Sequence, residues 1–156
     1  MIELAKTLAL ISVLGTAVVY GTDVFCAVVL RPTLAAVDDR ALVTVMGNMH
    51  RYADRRMPAP GALGGIAAIA SAALFAVAGQ WIQSIAALCA VVLLLAWIVL
   101  YVRISAPINR ELTQAAASQQ VPANARALQS NWNRIITARA ALQGLAVVAL
   151  CLTLIV

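Results

Sequence analysis

The sequence predicts an all-α integral membrane protein: a bundle of four membrane-crossing helices, with amphipathic helical segments at one end. Three observations carry this. Of its 156 residues, 63% are hydrophobic and only 11% charged, and the mean hydropathy is +0.94; a soluble domain is about half apolar and about a quarter charged. Four apolar runs are long enough to cross a hydrocarbon core of about 30 Å at about 1.5 Å per residue. The charges gather between those runs rather than inside them. The length accommodates one compact unit, residues 1–156, without a second globular domain.

The first span covers residues 7–30. Lys6 precedes it as a basic residue precedes the apolar core of a signal peptide, but the run is too long for that core and reads as a retained helix. In residues 34–49, Leu34, Val37, Leu42, Val45 and Met49 recur every three to five positions, with Asp38, Asp39, Arg40, Thr44 and Asn48 between them. That pattern predicts an amphipathic helix lying along the membrane or capping the bundle. The second span, residues 59–79, is rich in alanine and glycine. Its Gly61 and Gly65, continued by Ala68 and Ala72, predict a small-residue face for close packing.

Gly79-Gln80-Trp81 predicts a tight turn, so the second and third spans form an antiparallel hairpin with Trp81 as an interfacial anchor. The third span, residues 82–105, is the most apolar and contains VVLLLAWIVLY. Residues 107–120 read as helical, and Pro122 breaks the chain before a further helix leads into the fourth span, residues 135–156. Lys6 is the only one of eleven Lys and Arg outside the two long connecting segments and the helix ends beside them. The positive-inside rule therefore places those segments in the cytoplasm and both termini outside, in an inner (cytoplasmic) membrane.

The composition excludes several classes. A net charge of +5 comes from arginines bordering apolar runs, with no basic arm or nucleic-acid motif, so no nucleic-acid partner is expected. Cys26, Cys89 and Cys151 lie far apart in apolar runs and read as inert packing residues, with no metal site expected. No Ser-His-Asp order, phosphate loop or paired catalytic carboxylates is present. One buried carboxylate and no inverted repeat offer little to a transporter.

Polar side chains inside the spans fall into stripes. Thr16, Tyr20 and Asp23 share a face of the first span; Trp97, Tyr101 and Ser105 recur every four residues in the third; Trp132, Arg139 and Gln143 lie on one side of the fourth. Asp23 and Arg139 fall at matched depth near the cytoplasmic side. An ion pair there offsets part of the desolvation of each. Such a pair serves either as a lock between helices or as the anchor of a ligand pocket. His50, the only histidine, is expected at the surface or the interface; a general base or an axial haem ligand are its alternatives.

Several short motifs in order resemble the anthrone-oxygenase-like family of small four-span membrane proteins, most of unknown function. They are Pro32 and Leu34 closing the first span, Arg55-Arg56-Met57-Pro58 before the second, Pro107-Ile108-Asn109-Arg110 after the third, and Trp132 with Arg139 seven residues later. The family often has a histidine between that tryptophan and arginine, where this chain has Ile136. The resemblance implies oxidation or binding of a flat apolar aromatic or quinone-like ligand at the cytoplasmic end. Asp23, His50 and Arg139 would be the catalytic residues, with Asp23 or His50 taking a proton and Arg139 holding an oxyanion. Tyr20, Trp97, Tyr101, Asn109, Trp132 and Gln143 would be the ligand-binding residues. No cofactor is expected, with haem the alternative. The alternative role is non-catalytic: lipid, quinone or haem binding, or a subunit of a membrane complex. Membrane lipid is the expected partner, and the small-residue face of the second span leaves a homo-oligomer open.

Overall fold

The structure, a computed structural model, describes residues 1–155 and is an all-α bundle of five helices. They are α1 (Ile2–Ala35), α2 (Asp39–Arg56), α3 (Pro58–Val77), α4 (Trp81–Ala117) and α5 (Ala125–Ile155). All but α2 are long and apolar enough to cross a membrane, which is the architecture of a multi-pass membrane protein. α1 packs on α3 and α5, and α4 packs on the same two. Every spanning helix is thus antiparallel to both its neighbours.

The helices overrun the predicted spans at several ends, and two of the overruns have one cause. α1 continues past Leu30 to Ala35 and α4 past Ser105 to Ala117, each through a five-residue π-helical segment, Cys26–Leu30 and Tyr101–Ser105. Pro32 and Pro107 stand just beyond them. A proline inside a helix has no N–H for the carbonyl four residues back and crowds it, and widening the preceding turn accommodates both effects without breaking the helix. Two of the prolines that mark the family resemblance are therefore the reason these helices swell where they do. Val156, with which the predicted fourth span ends, lies outside the described residues.

The connections are short and well defined. Gly79, at φ +73°, makes the turn between α3 and α4 where the sequence places it. Asp38 caps α2, its Oδ1 accepting from the Ala41 N–H at 2.7 Å. The amphipathic helix thus starts at Asp39 rather than at residue 34 and runs on to Arg56, while Leu34 belongs to the end of α1.

α2 folds back over one end of the bundle and packs on the outer stretch of α4, residues 106–117. Gly47 makes this approach close: a Cβ there would stand 2.4 Å from the Leu112 carbonyl and from Ala116 Cβ. Leu42, Val43, Met46, Ile108 and Leu112 form the apolar core under α2, together with Trp132 and Ile136 of α5. Burial of each large side chain there contributes about 1.5–3 kcal/mol. Arg126 at the start of α5 ties down the α1–α2 connection, donating to Asp39 Oδ1 at 2.6 Å, to the Leu34 carbonyl at 2.9 Å and to the Val37 carbonyl. This end carries ten of the eleven Lys and Arg and is the basic end.

Away from it, the interior is made mostly of small residues, with Phe75 and Leu150 the large side chains fully buried among them. Gly15 and Gly64 bring α1 and α3 together, with Ser12 Oγ donating to the Gly64 carbonyl at 2.7 Å and Ser71 Oγ to the Ala5 carbonyl at 2.8 Å. Ala68, Ala90, Ala146 and Leu150 fill the centre. Lipid tails are as apolar as leucine, so association inside a membrane depends on such close packing, and the large residues Leu14, Ile69, Ile85, Leu95 and Val148 face outward. The packing face of α3 is Gly64, Ala68, Ser71 and Ala72; the predicted pair Gly61 and Gly65 points elsewhere.

Candidate functional site

Asp23 and Arg139 come together where α1, α4 and α5 meet near the basic end. Arg139 Nη2 donates to Asp23 Oδ1 at 2.8 Å, and their side chains are 7% and 5% exposed. Asp23 Oδ2 accepts from Gln143 Nε2 at 2.6 Å and from Trp97 Nε1 at 3.1 Å. Three donors on one carboxylate, one of them cationic, compensate much of its desolvation. Arg139 Nη1 also donates to Ser105 Oγ at 2.8 Å, on the swollen turn of α4. The guanidinium lies 5.5, 5.6 and 5.9 Å from the ring centroids of Trp97, Tyr101 and Trp132, an aromatic cage that favours a cation.

A second polar group lies beside the first and is centred on Asp54, to which the sequence pattern assigns no role. Asp54 Oδ1 accepts from the Tyr101 hydroxyl at 2.9 Å and from Asn109 Nδ2 at 3.0 Å, and Asn109 Oδ1 accepts from Trp132 Nε1 at 3.1 Å. This chain of hydrogen bonds links α2, α4 and α5. Asp54 stands four residues after His50, so both lie on one face of α2. That spacing is the signal the sequence holds, and it lies beyond the amphipathic pattern of residues 34–49.

His50 is 2% exposed, not a surface or interfacial residue, because α2 closes over the bundle and brings it against α5. Its ring centroid is 5.5 Å from that of Trp132, and its Nε2 is buried without a hydrogen-bond partner. Burial, and secondarily the charge of Arg139, push its pKa down to about 3, so the imidazole is neutral.

These groups form one end of a cleft of about 490 Å³ between α1, α2, α3 and α4. Asp23, His50, Asp54, Trp97, Tyr101, Asn109, Trp132 and Arg139 all line it, and Cys26 and Met57 add softer surface. Its other walls are apolar: Val19, Ile66, Ile69, Leu94 and Leu95. The mouth lies between α3 and α4, where Ile66, Ile69, Leu95, Ile98 and Val102 line it and are between 44% and 68% exposed. A membrane would put hydrocarbon there. Gly61 and Gly65 leave that wall without side chains: a Cβ on Gly65 would meet nothing within 4 Å, and one on Gly61 only Val19 at 3.8 Å.

Two residues expected in the ligand site stand outside it. Tyr20 does not line the cleft; its ring packs where a Cβ on Gly144 would be 3.2 Å away. Gln143 lies behind Asp23, holding the carboxylate. Ile136 is fully buried in the apolar core under α2. Among the described residues, no three His, Cys, Asp or Glu side chains converge as metal ligands, and His50 is the chain's one imidazole. Cys26 is buried, whereas Cys89 and Cys151 are exposed on the outer surface of their helices rather than packed.

Compared with known protein families, curated proteins and solved structures, the chain matches none of them.

Proposed function

We propose that the cleft binds a flat, apolar aromatic molecule carrying a polar oxygen, taken up from the bilayer between α3 and α4. The observation that carries this reading is the division of one cavity into apolar walls and a polar, aromatic inner end. Pockets for small molecules are mostly apolar with a few convergent polar groups, and this volume lies within their usual range. The glycine wall of α3 leaves a flat surface in the same cleft as Trp97, suited to a thin ring system. A ligand hydroxyl finds an acceptor in the free Nε2 of His50. By the positive-inside rule the inner end faces the cytoplasm of an inner membrane, with both termini outside.

Trp97 and Trp132 line the cleft while Trp81 lies at the opposite end of α4, so bound quinones would quench tryptophan emission in part. A hydroxyanthraquinone titrated into detergent-purified protein is expected to quench saturably. Gly65→Phe fills the cleft and is expected to abolish the saturable phase while the fold is retained. Quenching that stays linear in wild type, or persists unchanged in Gly65→Phe, removes this reading.

A second reading, favoured by the unpartnered His50 Nε2 and by the resemblance to anthrone oxygenases, adds chemistry. His50 accepts a proton from an activated ring CH₂, and the guanidinium of Arg139 stabilises the anion. Dioxygen adds at that carbon, and the resulting hydroperoxide loses water to leave a carbonyl: CH₂ and O₂ become C=O and H₂O. An isolated imidazolium is disfavoured by burial, but here it forms beside the anion. Asp23 is less suited to be the base, since both its oxygens are taken up by Arg139, Gln143 and Trp97. An anthrone incubated under air is expected to yield quinone with one O₂ consumed per turnover, about a hundredfold faster in wild type than in His50→Phe. A rate no higher than the spontaneous one leaves binding alone.

A further inference from the structure

A second hollow, of about 350 Å³, shares no lining residue with the cleft and lies between the end of α1, α2 and the start of α5. Arg31, Arg126 and Arg134 line it, together with Ser130, Asn133 and Thr137, and no carboxylate does. Arg126 is fixed by Asp39 and the Leu34 and Val37 carbonyls. Among the described residues, neither Arg31 nor Arg134 has a carboxylate within 4 Å. Their positions mark where the apolar runs of α1 and α5 give way to polar sequence, the level at which phospholipid head groups lie.

An independent feature points to a ligand. Gln129 also lines the hollow and is 4% exposed; its Nε2 donates to Asn133 Oδ1 at 3.0 Å, but its Oε1 is buried with no donor. A buried amide oxygen of this kind calls for a donor from outside the chain. Arginines ask for an anion and Gln129 for a hydroxyl, and the two demands meet in one chemical group.

We propose that this hollow binds a phosphoglycerol group, its phosphate on Arg31 and Arg134 and a glycerol hydroxyl donating to Gln129 Oε1. The sources of such a group are the head of an anionic phospholipid and a free glycerol phosphate. The inference is independent of the cleft and of any ligand there.

The test uses the full chain in neutral detergent, with thermal unfolding read by tryptophan emission. Short-chain phosphatidylglycerol, short-chain phosphatidylcholine and glycerol 3-phosphate are added separately. Phosphatidylglycerol is expected to raise the midpoint saturably, and phosphatidylcholine is not. Each arginine near a phosphate is worth about a four- to sixfold change in affinity, so Arg31→Gln/Arg134→Gln is expected to bind about thirtyfold more weakly. Gln129→Leu keeps every charge and is expected to bind about fivefold more weakly, the value of one hydrogen bond. Arg51→Gln/Arg55→Gln removes the same charge from an exposed part of α2 outside the hollow and is expected to bind as wild type. If glycerol 3-phosphate alone reproduces the effect, the site stands and its source is soluble. Equal losses in the two double variants, or no loss in either, overturn it, since diffuse surface charge then accounts for the binding.

Discussion

Where α1 crosses α3, Gly15 and Gly64 set two backbones side by side, and the hydroxyls of Ser12 and Ser71 bond carbonyls across the gap. About two turns farther along α1, at Asp23, the packing changes character. Large aromatic side chains replace alanine, a buried ion pair replaces hydroxyl bonds, and a cleft opens where α3 and α4 had been in contact. The first region gains stability from proximity, because small residues allow many weak contacts at short range. The second spends some of it on a hollow and on charges taken out of water. A protein with no use for the basic end could have continued the alanine packing to α2. The ion pair, the aromatic cage and the glycine wall are departures from the cheaper pattern, and such departures tend to gather at functional sites.

The largest effect that separates the two regions is expected at the ion pair. Asp23→Ala leaves Arg139 buried with Ser105 as its one remaining hydrogen-bond partner, and Arg139→Ala leaves the carboxylate with neutral donors alone. Removal of one member of a buried pair costs about 3–5 kcal/mol, whereas replacing both by apolar residues is often nearly neutral. Asp23→Leu/Arg139→Leu is therefore expected to recover most of what either alanine variant loses, measured as thermal unfolding in detergent. Losses that simply add would mean the two groups are not coupled, and the polar end of the cleft would not be a unit.

The alanine-rich region is expected to break differently, by crowding. A Cβ on Gly15 would lie 2.7 Å from the Pro60 carbonyl oxygen and 2.9 Å from the Gly64 nitrogen, both backbone atoms that cannot swing aside. Gly15→Ala is expected to cost about 1–3 kcal/mol, the usual range for overpacking. It should do so without the pH dependence or ligand sensitivity of changes at the other end. Wild-type stability in this variant would show that α1 and α3 do not approach so closely.

The two regions also differed in how far the sequence disclosed them. Four spans and the Gly79 turn were legible because hydropathy and a glycine at positive φ are local properties. The Asp23–Arg139 contact was legible from depth, since two costly charges in neighbouring spans have few other ways to be satisfied. The helix overruns were not, because a proline reads as a stop unless the turn before it can widen, and widening is seen only in the backbone. The face of α3 was hidden by its composition. Glycine and alanine occupy so many of its positions that Gly61 and Gly65 looked as suited to packing as Gly64 does. His50 and Asp54 depended on how α2 folds back, which Gly47 permits but does not announce.

Over the pH range tested His50 gives an effect of comparable size, and its sign follows from its environment. An unfolded histidine titrates near 6.5, whereas the folded one stays neutral down to about 3. As pH falls below about 6.5, the unfolded chain takes a proton that the folded chain refuses, so stability falls with pH by up to about 1.4 kcal/mol per unit until about pH 3. Above that window the group contributes no slope. The difference between wild type and His50→Gln isolates this from the carboxylates, which titrate in both. Midpoints measured from pH 7 to 5 are expected to fall more steeply in wild type. Parallel curves would place His50 in water and open the cleft to solvent.

The smallest expected change is also opposite in sign, and it compares two adjacent residues of one helix. A Cβ on Gly64 would sit 2.8 Å from Thr16 Oγ1 and 3.0 Å from the Thr16 nitrogen, whereas a Cβ on Gly65 would meet nothing within 4 Å. Glycine inside a helix is about 0.5–1 kcal/mol less favourable than alanine. Gly65→Ala is therefore expected to stabilise the protein by about that amount, and Gly64→Ala to destabilise it. Gly65→Ala is also expected to narrow the cleft by one methyl group and weaken quenching by a broad quinone, gaining stability while losing binding. The empty space beside Gly65, absent beside Gly64, is what sets the two expected signs apart. If Gly65→Ala instead destabilises as Gly64→Ala does, α3 is packed on both faces and the apolar wall of the cleft is closed.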